Sequence, residues 1–289
     1  EMNLRGAKPV NDFSIRERIE SMIPAQDLYN DRLPEQFKSN FFKWIQSSEK
    51  NNLRNVWKYK NIQIVNGTIQ SFDHFYWKYK EKRFRFLAGE FMYHKACLKH
   101  GANFKELNGD LMRGDALILS VPFSDYGEQH SLTDQLLHLC NNLDIPVLLD
   151  FAYYPCTKNI DLDLSFRCID TITFSISKAF YGAEFLRVGI RCQRGNTDDG
   201  IDVFNSVDMV NRVSLSIANT LIKEYSVDHN WNTYHDQYYQ VCKEKNLEPT
   251  DCIMFGLGGK EYKEFNRGGK VNRVCISELI GEKINDRSK

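Results

Sequence analysis

Three apolar stretches, ALILSVPFS (Ala116–Ser124), IPVLLDFAYY (Ile145–Tyr154) and DTITFSIS (Asp170–Ser177), alternate with segments of helical periodicity. A strand apolar on both faces cannot leave either face in water, so helices must cover the two sides of a mostly parallel sheet. The reading extends along the chain. NIQIVNGT (Asn61–Thr68) predicts a short strand entering a glycine turn, and SFDHFYWKYK continues as a helix. RFRFLAGEF is strand-like, and MYHKACLKHGA is a helix closed by Gly101. A helix across Thr133–Asn142, a long one from about Val207 to Tyr225, a GLGG turn at Gly256–Gly259 and a last strand, KVNRVCIS, follow. The expected division is a large domain over 45–212 and a small α+β domain assembled from 1–44 and 213–289.

Composition narrows the function by exclusion. Lysine plus arginine and aspartate plus glutamate are 38 each, so no electrostatic argument favours nucleic acid or an acidic membrane surface. Eight cysteines form no CxxC pair, which predicts reduced thiols and a cytoplasmic setting. The seven histidines have no metal-ligand spacing. No apolar run reaches transmembrane length. A nicotinamide-binding sheet would carry G-x-G-x-x-G after the first strand, and none is there.

In a parallel sheet, ligands gather beyond the carboxyl ends of the strands, so the residues just past each apolar run carry the chemistry. Lys178 closes the third run, where a permanent ammonium is poorly placed. A lysine made nucleophilic by its surroundings forms imines with aldehydes; read alone, Lys178 is equally a strand-end lysine reaching for solvent. Gly67 and Thr68 open a helix after the first strand and offer backbone N–H groups and a hydroxyl to a phosphate. Phe91 places a ring after the second strand, suited to covering a flat ligand or simply to core packing. Asp150 ends VLLD, with Tyr153 three residues on; the carboxylate suits a protonated ring nitrogen, or else a helix cap. Ser175 and Arg187 flank Lys178 and suit an anion. An aldehyde, a pyridine nitrogen, a phosphate and a flat ring are the parts of one molecule, pyridoxal phosphate.

DFAYY together with SISKAF…RVGIR resembles the signature of fold-type I pyridoxal-phosphate enzymes of the class I/II aminotransferase family, over about Asn61–Arg191. The resemblance implies that Lys178 carries the cofactor as an internal aldimine, that Asp150 bonds the pyridine nitrogen, and that Tyr153 bonds the phenolic oxygen. It implies phosphate contacts from Gly67, Thr68, Ser175 and Arg187, and ring stacking by Phe91. VNRVCIS resembles the small-domain strand whose arginine grips a substrate carboxylate, which falls on Arg273; read alone, this is a surface arginine on an edge strand. A homodimer with a shared active site is also implied, with the region of Tyr29 and Arg32–Pro34 among the residues offered across it. Two departures stand out. Ser124 occupies the place of the asparagine of the family's N-P-x-G motif, and the chain is short for the family. The same pocket also serves decarboxylation, elimination or cyclisation, and a non-catalytic relative is a third reading.

Overall fold

A computed structural model describes residues 4–23 and 28–286; residues 1–3, 24–27 and 287–289, parts of the expected terminal domain, lie outside the described residues. Twelve strands and nine α-helices follow in chain order: α1 (Phe13–Met22), α2 (Leu33–Gln46), β1 (Asn52–Arg54), β2 (Asn61–Val65), α3 (Thr68–Lys78), β3 (Arg83–Phe86), α4 (Met92–Leu98), β4 (Phe104–Glu106), β5 (Asp115–Ser120), α5 (Thr133–Leu143), β6 (Val147–Asp150), β7 (Asp161–Asp163), β8 (Ile169–Ser175), β9 (Gly189–Gln193), α6 (Gly200–Ser206), α7 (Arg212–Glu224), α8 (His229–Glu244), β10 (Glu248–Pro249), β11 (Phe255–Gly258), β12 (Asn272–Cys275) and α9 (Ser277–Asn285).

Seven strands form the main sheet in the order β2-β9-β8-β6-β5-β3-β4. β8, β6, β5, β3 and β4 are mutually parallel, whereas β9 lies antiparallel between β2 and β8. β2 therefore points the same way as the parallel set, and β9 alone is reversed. This has a direct consequence for the site: the carboxyl ends of β2, β5, β6 and β8 and the amino end of β9 all meet at one edge.

The apolar runs are divided residue by residue between the two faces, as the strand period requires. Leu117, Leu119, Val147 and Leu149 join the cluster that includes Phe37, Phe41, Trp44, Leu215 and Leu221 from α2 and α7. Ala116, Ile118 and Leu148 join the opposite cluster, with Phe72 and Phe75 from α3 and Leu98 from α4. Such a two-sided covering is what the unbroken apolar runs predict. A third cluster packs α8 and α9 against β11 and β12 and includes Val10, Tyr153 and Cys156.

Two local expectations change. The helix expected from about Val207 to Tyr225 begins later, as α7 at Arg212: Asp208 has φ 53° and Asn211 caps α7 through Ser214 N. Its continuous apolar pattern concealed a left-handed residue that an α-helix cannot accommodate. The GLGG segment is not a turn: Gly256–Gly258 lie in β11, paired antiparallel with β12. At Gly256 an added Cβ would fall 2.9 Å from Leu247 Cβ, so the glycine answers a close approach inside a sheet rather than a turn. No helix among the described residues is long and apolar enough to cross a membrane.

Candidate active site

All ten residues singled out from the sequence line one cavity of about 540 Å³ at the converging strand ends. That volume is within the range of small-molecule sites. Several elements contribute: Gly67 and Thr68 from the β2–α3 junction, Phe91 from the β3–α4 turn, Ser124 from beyond β5, Asp150 from the end of β6 and Tyr153 from just past it. Ser175 and Lys178 come from β8, Arg187 from the start of the reversed β9, and Arg273 from β12.

One end of the cavity is built for an anion. Gly67 has φ 79° and ψ 169°, a region essentially confined to glycine. It caps the amino end of α3, whose free N–H groups and dipole favour negative charge. A Cβ at Gly67 would lie 2.5 Å from Arg187 Nη2. Arg187 has φ 56°, and its guanidinium donates to Asn66 O at 3.3 Å. The chain reaches it from Lys178 through Gly182 (φ 94°) and a 3₁₀ turn at Ala183–Phe185. Ser175 and Ser177 share a hydroxyl hydrogen bond of 2.8 Å beside it. Gly67→Ala is expected to lower thermal stability by about 1–3 kcal/mol through backbone strain. It should also weaken the affinity for inorganic phosphate, because the new methyl group displaces Arg187; titration and thermal denaturation measure both effects.

The other end combines a buried carboxyl with cationic side chains. Asp150 is buried and accepts from Ala152 N at 2.9 Å. Burial pushes its carboxyl up to about 7, with the nearby Glu90 charge adding to the rise and Lys178 opposing it. Tyr153 is buried against Phe255, ring centroids 5.4 Å apart. Lys178 Nζ donates to Ala7 O at 2.6 Å. Arg273 is only 3% exposed, so it is not the surface arginine that its edge-strand position alone allows. It donates to Ser124 O at 2.5 Å and to Gly6 O at 2.7 Å. The N-terminal stretch from Leu4 to Lys8 runs beside β12, held by Cys275 N to Leu4 O (2.9 Å) and Ser277 Oγ to Lys8 O (2.6 Å).

The strand order and the flanking helices have close counterparts among solved structures. The aminotransferase AspB of Helicobacter pylori superposes with a TM-score of 0.68 at 12% identity, over 99% of this chain and 93% of that one. An aromatic aminotransferase of Pyrococcus horikoshii gives 0.66 at 13% identity, over 99% and 96%. The histidinol-phosphate aminotransferase of Clostridium acetobutylicum gives 0.62 at 13% identity, over 98% and 97%. The chain has the aminotransferase fold. No protein-family profile matches it, and no curated protein matches it by sequence.

On this aminotransferase fold, the cavity is also lined by Ser120 and Arg267, which the sequence reading passed over, and Glu90 supports its wall from outside the lining. Glu90 is buried directly before Phe91. Its carboxylate accepts from Phe91 N (2.9 Å), Ser120 N (2.9 Å) and Ser120 Oγ (2.5 Å). Ser120 Oγ in turn accepts from Ser124 N at 2.8 Å, and Ser120 sits opposite Asp150 in the β5–β6 register. Glu90 thus ties the Phe91 turn to the end of β5; burial raises its pKa, while these hydrogen bonds oppose the rise. A signal was available, since Glu90 is the one acidic residue in the strand-like run RFRFLAGEF, where a charge has no place unless it is bonded. Glu90→Gln leaves a donor facing Ser120 N. It is expected to lower thermal stability by about 1–3 kcal/mol, read by thermal denaturation. Arg267, Asp125 and the N-terminal carbonyls gave no such signal, because they belong to polar loops that only the folded chain brings to the site.

Proposed function

We propose that this chain is a pyridoxal-phosphate-dependent aminotransferase acting on an amino acid or related amine. The observation that carries the reading is the meeting, in one cavity of an aminotransferase fold, of Lys178 with a buried carboxyl at one end and a glycine-arginine anion cradle at the other. The donor set fits the cofactor part by part. Gly67, Thr68, Ser175 and Arg187 suit the phosphate, and Asp150 suits the ring nitrogen. Tyr153 and Ser124 suit the phenolic oxygen, Phe91 a ring face, and Lys178 the aldehyde. When bound, pyridoxal phosphate supplies an aldehyde and an electron-withdrawing ring that stabilises negative charge at a substrate Cα.

The protein's own residues do the rest. Asp150, in its dry site, is the counter-ion that holds a proton on a ring nitrogen. Lys178 Nζ is the amine that would hold the aldehyde and, once free, the base that would take the substrate Cα proton and deliver it to the carbon that carried the aldehyde. The anion cradle and Phe91 orient; they take no part in proton transfer. Ser124 offers a hydroxyl where an amide would make more bonds, so Tyr153 carries more of the phenolic-oxygen side. A homodimer is part of the proposal, supported by Met92, which lines the cavity and is still 66% exposed.

The test is the visible spectrum of the purified protein with added pyridoxal phosphate, before and after a panel of amino acids. A long-wavelength band that one amino acid removes, with release of the matching 2-oxo acid, is the expected result. A band that changes without 2-oxo acid would replace amino transfer by elimination, decarboxylation or cyclisation. No band at all overturns the reading.

A further inference from the structure

We propose that Arg267 and Arg273 form a paired anion site that selects a substrate carrying two anionic groups, such as a dicarboxylic or phosphorylated amino acid. The inference deepens the function proposed above and rests on it for the reaction, though not for the binding.

Every polar contact of the two guanidinium groups is neutral. Arg273 Nη1 and Arg267 Nη1 both donate to Ser124 O, at 2.5 and 3.0 Å, and Arg267 Nη1 also reaches Ser124 Oγ at 3.2 Å. Arg273 Nη2 takes Gly6 O, and its buried Nε has no partner. Its guanidinium carbon lies 4.1 Å from the Phe255 ring centre. Sharing one carbonyl holds the two cations side by side, and burial together with the Arg273 charge lowers the pKa of Arg267.

The protein treats its other buried arginines differently. Arg85 is paired with Asp115 at 2.8 Å and with Asp110, and Arg191 with Asp199 at 2.5 Å and Asp202 at 3.6 Å. Among the described residues no carboxylate lies within ion-pair distance of Arg267 or Arg273. Asp125 faces both, but it is wedged against Gly89 and Gly269 and held by Lys270 N. Its Oδ1 has no partner, and burial pushes its carboxyl up to about 6 against the pull of the arginines. At the same mouth, Arg5 and Glu264 are paired with each other at 3.3 Å. Neither guanidinium is therefore ion-paired, and the two carboxyl groups that act on Arg267, Asp125 and Glu90, are each held by other partners. A buried charge without a counter-ion is costly, typically several kcal/mol, and an anionic ligand removes that cost. A single carboxylate balances one guanidinium; a second anionic group balances the other.

Glutarate and butyrate are unreactive probes of similar length, with two charges and one. Calorimetric titration of the protein saturated with pyridoxal phosphate is expected to show glutarate binding at least about tenfold more tightly. In Arg267→Gln the two acids should bind within about threefold of each other, and in Arg273→Gln both should weaken. Equal affinity in the wild type, an undiminished glutarate advantage in Arg267→Gln, or no binding of either acid overturns the proposal. A protein that shows no visible band with the cofactor fails as an aminotransferase instead. The same titration on that protein still reads the arginine pair, so the two failures are distinct.

Discussion

Lys178→Ala is expected to abolish the visible band formed with pyridoxal phosphate and to lower amino transfer by at least about 10³-fold. General acid–base catalysis alone is worth 10²–10⁴, and the covalent hold on the aldehyde is lost with it. The fold should survive, because Lys178 is only half-buried and its side chain is held by a hydrogen bond to Ala7 O. Far-ultraviolet circular dichroism and a visible titration of both proteins check this. A variant that still forms the band would move the role to another amine.

Asp150→Asn has the second-largest expected effect, and it acts in opposite senses on function and stability. Burial holds this carboxyl at about 7, well above an aspartate in an unfolded chain. The folded protein therefore keeps a proton there that the unfolded chain has already lost. The stability linked to that proton is complete at low pH and disappears as pH rises through 7. Above that pH a carboxylate sits in a buried site whose proposed counter-charge is the ring cation of the cofactor. Without cofactor, Asp150→Asn is therefore expected to melt higher than the wild type at pH 8 by several degrees, a gain of order a few kcal/mol. The difference should shrink as pH falls below 7 and vanish only below about pH 4, where the aspartate is neutral in the unfolded chain as well. With cofactor, amino transfer should fall by 10²-fold or more, because the asparagine carries no charge to keep the ring nitrogen protonated. A wild type and variant with parallel melting profiles from pH 5 to pH 8 would show that Asp150 is already ionised throughout. The combination is a stability–activity trade-off, as expected where a charge is buried for its chemistry.

Both predictions concern residues legible in the sequence, and the reason is physical. Lys178 and Asp150 are charges at the ends of apolar runs, where burial makes a charge costly and therefore informative. The same contrast marked Glu90, but an isolated carboxylate beside Phe91 carries no indication of its partner. Arg85 shows the limit from the other side. The alternation Arg83-Phe84-Arg85-Phe86 reads as a half-exposed strand, yet Arg85 is fully buried and paired with Asp115 and Asp110.

Local chemistry alone settled that apolar runs must be strands covered on both faces, and that Gly67, Asp150 and Lys178 stand at strand ends, because periodicity and the cost of buried charge act over a few residues. The tertiary structure alone decided that β9 runs backwards, which brings Arg187 to the same edge as Lys178. It also decided that a loop between β11 and β12 sets Arg267 beside Arg273 against the carbonyl of Ser124, 143 residues away in the chain. Contacts over such separations depend on strand order and domain packing, for which no short stretch of sequence carries the information.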